Sequence, residues 1–259
     1  MSLVTTKLGW WLGLLLVVLG GWASAAQAAE VKVLSAGAVR GIVTDLAEAF
    51  RQETGHTVTL TFGTVGVVRQ KLTAGEPADV VIMTDAAIDE MAQKGAVTPG
   101  TRADLARTAI GVGVREGAPR PDIATPEALK QTLLGAKSLV YVDPAQGGTS
   151  GIHFASVLQR LGIAEAVKAK TLLVPGGYAA EKVAQGEAEL VVHQISEILP
   201  VKGVTLVGPL PKDLQKITVY SAGLAARSAA PEAARAFLAF LTRPAFKAKF
   251  AAAGLDYRE

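Results

Sequence analysis

The sequence predicts an α/β fold built as two lobes, and three observations predict it. From Val31 onward the chain repeats strand, small-residue loop and helix three times in succession. A Pro-rich connection over residues 117–126 interrupts that rhythm, which then restarts. A long strand-like run over 217–225, followed only by helices, has the place of a strand that returns to the first unit. A single doubly wound sheet is the alternative arrangement.

The first strand is expected over residues 31–34, followed by the turn Ser35-Ala36-Gly37-Ala38. A helix over about 39–54 repeats Ile42, Leu46, Ala49 and Phe50 on one face, and Gly55 ends it. Strand 58–62 leads through Gly63-Thr64-Val65-Gly66 into helix 67–74, and strand 79–83 leads through Thr84 and Asp85 into helix 86–94. The strands are short and apolar, as in a mostly parallel sheet covered on both faces. Ligands in such sheets sit beyond the carboxyl ends of the strands. That singles out the loops 35–39, 63–66 and 83–86.

Residues 108–115 read as one further strand. After the break come helix 126–134, strand 138–142, loop 143–150 and helix 151–161. Helix 164–170, strand 171–174 and the turn Pro175-Gly176-Gly177 follow, then helix 178–185, strand 188–192 and loop 193–195. A short strand and turn over 204–211, the strand 217–225 and helices 231–241 and 244–253 complete the chain. The lobes are expected to be joined by crossing segments near 110–116 and 213–220.

Residues 1–28 read as a secretory signal peptide: Lys7, an apolar run over 8–18, and Ala26-Gln27-Ala28 as the cleavage site. A membrane anchor is the competing reading, but the second half of the stretch is Ala, Ser, Gly and Gln, and no basic cluster follows it. The chain has no cysteine, which excludes a lipid tether, a disulfide and a thiolate metal site. A free periplasmic protein, a monomer, is expected. The remaining chain is close to neutral with no dense Lys/Arg block, which argues against nucleic acid. Aromatic residues are few, suggesting short-side-chain packing rather than an aromatic-lined pocket. His56, His153 and His193 lack metal-ligand spacing, so neither a metal nor a cofactor is expected.

Loops that open onto helix N-termini offer unpaired N–H groups and a positive dipole end, which suit an anion. Ser35 and Thr64 add hydroxyls there, with helix capping as the alternative role for Thr64. Simple turn geometry is the alternative for Gly37, Gly63 and Gly66.

Residues 33–49 (VLSAGAVRGIVTDLAEA) and the string TVTLTFGTVG with GEPADV at 75–80 resemble the periplasmic molybdate-binding proteins of ABC transporters, within the type II solute-binding superfamily. The resemblance covers nearly all of the chain after the leader. It implies lobe one over residues 29–112 and 217–259, lobe two over 113–216, and an oxyanion held in the cleft by hydroxyls and backbone N–H groups. Carried over motif by motif, it implies contacts at Ser35, Gly37 and Ala38; at Thr64, Val65 and Gly66; at Thr149 and Ser150; and near His193. It also implies delivery of the anion to an inner-membrane ABC permease.

The sequence departs from that pattern. Where the family offers a tyrosine hydroxyl near position 192, this chain has Val191-Val192-His193-Gln194; the first-loop Ser or Ala pair is Gly37-Ala38, followed by Arg40. The departing stretches VLSAGAVRG, ADVVIMTDAAID, REGAPRPDI and AELVVHQISEI resemble the periplasmic aconitate isomerases, which share the fold. That second resemblance implies a tricarboxylate in the cleft and an allylic proton shift. His193, Tyr178 and Glu197 are then the candidate proton carriers, with Asp143 a further one. Arg40, ahead of Arg69 and Arg115, is the candidate carboxylate partner, with Gln194 beside the site. Solute binding for transport is the leading reading, and isomerisation in the same cleft is the alternative.

Overall fold

In the computed structural model, which describes residues 28–256, ten strands form two five-stranded sheets. The leader expected over 1–28 lies outside the described residues except for Ala28. Among the described residues no helix is long and apolar enough to cross a membrane.

The first sheet is built from β1 (Glu30–Ala36), β2 (Thr57–Gly63), β3 (Val80–Thr84), β4 (Ala103–Thr108) and β10 (Thr218–Leu224), in the order β2-β1-β3-β10-β4. Helices α1 (Arg40–Thr54), α2 (Val65–Thr73), α3 (Asp85–Gln93), α9 (Pro231–Leu241) and α10 (Lys247–Ala252) accompany it. The second sheet contains β5 (Ile110–Arg115), β6 (Leu139–Val142), β7 (Thr171–Val174), β8 (Leu190–Gln194) and β9 (Val204–Pro209), in the order β7-β6-β8-β5-β9. Its helices are α4 (Pro126–Gly135), α5 (Thr149–Arg160), α6 (Ala164–Lys168), α7 (Ala180–Ala184) and α8 (Ile195–Ile198).

The local signals act as expected at several element ends. Gly55 takes the left-handed conformation (φ 77°) that closes α1. The Thr64 and Thr84 hydroxyls cap α2 and α3 by accepting from Val67 N–H at 3.1 Å and Ala87 N–H at 3.3 Å. The aromatics, though few, concentrate where α1 meets α9: Phe50 packs on Phe237 and Phe240, with ring centroids 5.1 and 5.3 Å away.

The sheets are mixed, not mostly parallel. β1 runs parallel to β2 and β3, but β10 is antiparallel to β3 and β4, and β5 is antiparallel to β8 and β9. The strands that carry the chain between lobes enter from the cleft end, so they oppose the strands of the β-loop-α units. The run 108–115 is two strands parted by Ala109, one in each sheet. β4 had no legible pattern, since Ala103–Thr108 does not alternate strictly: Leu105-Ala106 are both apolar and Arg107-Thr108 both polar. The boundary expected after residue 112 falls inside β5; we place the division between the lobes at Ala109 and within 210–217.

Asp79, 2% exposed, ties the first lobe together. One carboxylate oxygen accepts from Lys32 N–H at 2.8 Å. The other accepts from the Ser228 hydroxyl at 2.7 Å and from the N–H groups of Ala229 and Ala230 at 2.8 and 3.1 Å, at the start of α9. Burial pushes the Asp79 carboxyl up, but these hydrogen bonds together outweigh it and hold its pKa below the ordinary aspartate value.

Candidate functional site

The loops after β1 and β2 face those after β6, β7 and β8 across a cavity of about 250 Å³. Its first-lobe wall includes the turn Gly37–Val39, which opens α1, and Thr64 with Val65, which opens α2. In the second lobe, α5 begins directly against β6 because two glycines permit it. A Cβ on Gly148 would lie 2.6 Å from the Val142 side chain, and one on Gly151 only 2.0 Å from the Val142 carbonyl oxygen. This approach brings Thr149 and Ser150 to the cavity at a helix start that has no side-chain cap.

Gly37, Ala38, Arg40, Thr64, Val65, Thr149, Ser150, His193 and Glu197 all line the cavity. Ser35 is fully buried outside the lining, and its hydroxyl donates to the Ala36 carbonyl at 3.1 Å. The Gly66 N–H also turns away from the cavity, donating across the cleft to the Gly147 carbonyl at 3.1 Å. Thr64 does the same with its hydroxyl, which donates to the Gln146 carbonyl. A Cβ on Gly147 would lie 2.6 Å from the Gly66 Cα, so glycine at both positions lets the two backbones touch. Thr64, Gly66, Gln146 and Gly147 therefore hold the lobes together at this edge.

The second-lobe floor is polar and buried. His193 Nε2 stands 3.0 Å from the Gly177 carbonyl, which only accepts, so Nε2 carries a proton. Nδ1 accepts from Gln194 N–H at 2.9 Å and lies 3.2 Å from both the Ser150 hydroxyl and Glu197 Oε2. Burial pushes the Glu197 pKa up, against the opposing pull of His193 and Arg40. The contact joins a buried imidazole to a buried carboxyl.

The Arg40 side chain makes no ion pair or hydrogen bond among the described residues. Its guanidinium lies over Phe62 of the first lobe, 4.5 Å from the ring centroid, and 5.8 Å from that of Tyr178 in the second. Tyr178 reaches the site only through this stacking and is not part of the cavity lining. Burial, with the Glu197 charge, raises its phenol pKa. Of the other expected candidates, Asp143 caps the turn after β6 by accepting from Ala145 N–H at 2.9 Å, and Arg69 pairs with Glu90 at 2.9 Å. Neither they nor Arg115 line the cavity.

Tyr220 was not legible as a site residue. It lies in β10 far from every recognisable loop motif, and only sheet pairing brings its hydroxyl to the cavity. That hydroxyl is 3.1 Å from the Thr149 hydroxyl, and Gln194 Nε2 donates to both, at 3.3 and 3.1 Å. The Tyr220–Thr149 hydrogen bond uses one of the two hydroxyl protons and leaves the other for a ligand. Burial and the nearby Glu197 charge push the Tyr220 phenol far up, so it remains a neutral donor. Gln194 thus serves behind the lining, and with Phe62 and Tyr220 the pocket is more aromatic than composition suggested. Among the described residues no group of three or more His, Asp or Glu side chains is placed to hold a metal ion.

The sequence profile of the bacterial extracellular solute-binding proteins matches residues 31–256. The chain belongs to this family. It is 36% identical over 236 residues to an aconitate isomerase from Pseudomonas sp, covering 89% of this chain and 88% of that protein. It is 32% identical over 192 residues to the molybdate-binding protein ModA of Azotobacter vinelandii, covering 71% and 73% of the two chains. The solved periplasmic molybdate-binding protein of Azotobacter vinelandii has the same fold, with a TM-score of 0.73 at 22% identity over 88% of this chain and all of that one. This member of the solute-binding family therefore has the two-lobed architecture that both resemblances implied, as an extracytoplasmic protein.

Proposed function

We propose that the cleft binds a small unsaturated tricarboxylate of the aconitate type and interconverts its cis and trans forms by an allylic proton shift. The observation that carries this reading is the buried Glu197 carboxyl facing the cavity with its Oε2 3.2 Å from His193 Nδ1. A site that only holds an oxyanion is best served by neutral donors, because an ionised carboxylate repels the ligand. A carboxyl with a raised pKa beside an imidazole is instead suited to carrying a proton. The similarity to the Pseudomonas aconitate isomerase, over most of both chains, supports the same reading.

In the reaction, Glu197 in its carboxylate form takes a proton from the substrate methylene, with the His193 ring beside it. The C–H electron pair delocalises through the adjacent double bond into a carboxylate, and the proton returns at the other allylic carbon. One C–H bond breaks, another forms, and no cofactor is consumed. Arg40 holds a substrate carboxylate, while the Tyr220–Thr149 pair and the start of α5 donate to developing negative charge. A cavity of about 250 Å³ is below the usual drug-sized range of roughly 300–1,000 Å³ and suits a compact metabolite.

The test is to incubate the mature protein separately with cis- and trans-aconitate and separate the products. Thermal melts with molybdate, tungstate, sulfate, citrate and both aconitates run in parallel. Interconversion, with stabilisation by the tricarboxylates, is expected. Selective stabilisation by molybdate without turnover would instead decide for a passive carrier. That second reading is favoured by family membership and the molybdate-binding relatives, and it includes handover of a small anion to an ABC permease. Arg40→Gln is expected to weaken tricarboxylate binding by roughly 10- to 100-fold, the worth of a hydrogen bond to a charged group. Isothermal titration measures it, and unchanged affinity would remove Arg40 from the site.

A further inference from the structure

We propose that Gly37 is a positioning residue for Glu197: the missing side chain leaves the space in which the carboxyl of one lobe seats against the first loop of the other. This rests on the reading of Glu197 as the proton carrier. Gly37 is not among the glycines with positive φ, so its backbone conformation is open to any residue. A Cβ there would meet the Glu197 Oε1 at 3.1 Å, with the Gly63 carbonyl oxygen next at 3.8 Å. The other close-packed cleft glycines are different in kind. Cβ atoms on Gly63, Gly66 and Gly151 would collide with valine side chains or backbone. Only at Gly37 is the space limited by an acid lining the cavity.

Glu197 has little freedom to yield. Its other oxygen is 3.2 Å from His193 Nδ1, and that ring is held by the Gly177 carbonyl, the Gln194 N–H and the Ser150 hydroxyl. His193 and Arg40 pull the Glu197 pKa down against burial, and two phenols lie within its field. His193 lies on β8, Arg40 opens α1, Tyr220 is on β10 and Tyr178 precedes α7. A methyl at position 37 would therefore move the carboxyl relative to these groups or hold the lobes slightly apart. Either change misplaces the proton carrier without removing it.

The test combines Gly37→Ala, Glu197→Asp, the double variant and Glu197→Gln in the full-length mature protein. Gly37→Ala is expected to melt close to wild type, to lower kcat for aconitate by roughly 10- to 100-fold as a misplaced group does, and to leave KM within about two-fold. The pH dependence of kcat should shift with it. Glu197→Asp withdraws the carboxyl by one methylene, so the double variant is expected to be more active than the product of the single effects predicts. A substrate-free readout separates this proposal from the functional one. The infrared carboxyl band that Glu197→Gln abolishes should change its titration midpoint in Gly37→Ala, even if wild type turned over no aconitate. An unchanged midpoint, or strictly multiplicative kinetics in the double variant, would overturn the proposal.

Discussion

Under the proposed isomerisation, replacing Glu197 with Gln is expected to lower aconitate turnover by about 10²- to 10⁴-fold, the usual contribution of a positioned acid–base group, and to leave tricarboxylate binding in place. Gln keeps the shape and neutrality of the protonated acid, and its amide can still donate to His193 Nδ1. It cannot accept a proton from carbon. Product separation measures the rate and calorimetry the binding, and a variant with wild-type turnover would remove Glu197 from the chemistry. The same substitution has a pH signature. The folded pKa of Glu197 is raised, so as pH rises from the ordinary carboxylate range the unfolded chain loses this proton first. Wild-type stability therefore falls through that window up to the folded pKa, and Glu197→Gln abolishes that fall. Melting temperatures across pH test the sign.

Asp79→Ala will destabilise the first lobe by about 3 kcal/mol or more, since it leaves several buried donors without an acceptor at roughly 1–3 kcal/mol each. The Lys32 N–H on β1 and the Ala229 and Ala230 N–H groups before α9 all lose their partner at once. Denaturant unfolding reads the loss, and a change below about 1 kcal/mol, the net worth of one hydrogen bond, would contradict it. Here the linkage has the opposite sign to that of Glu197. The folded pKa of Asp79 is depressed, so its contribution is present above the unfolded aspartate value and is lost as pH falls through the folded one. Asp79→Ala should therefore flatten the acid side of the stability profile, while Glu197→Gln flattens the other.

Much of the fold was legible because its elements obey local rules. The helical spacing of Ile42, Leu46 and Phe50, the stop at Gly55 and the Thr84 cap all act on neighbours within a turn or two. β4 and the short helix α8 were not legible. β4 exists only because β10 returns beside it, and α8 is a single turn packed under the cleft. The strand expected to end at Val192 continues to Gln194, because pairing with β5 extends it through His193. Of the candidate loops, the residues after β1, β2 and β6 reach the cavity, whereas 83–86 do not line it. Ser35 and Gly66 carry the expected residue types, but their polar groups are already bonded elsewhere, which no spacing rule reveals.

The sequence by itself determined the α/β rhythm, the two-lobed plan and the small-residue loops, because period, caps and glycines act locally. It also supplied the leader pattern and the departures at Gly37 and His193 that first pointed towards a carboxylate. Only the tertiary structure decided which groups can do chemistry. It buried Glu197 against His193, stacked Arg40 between rings from both lobes and brought Tyr220 from β10 to the cavity. The physical reason is that a side chain's proton affinity and reach follow from burial and from neighbours distant in sequence, and those are set when the lobes pack.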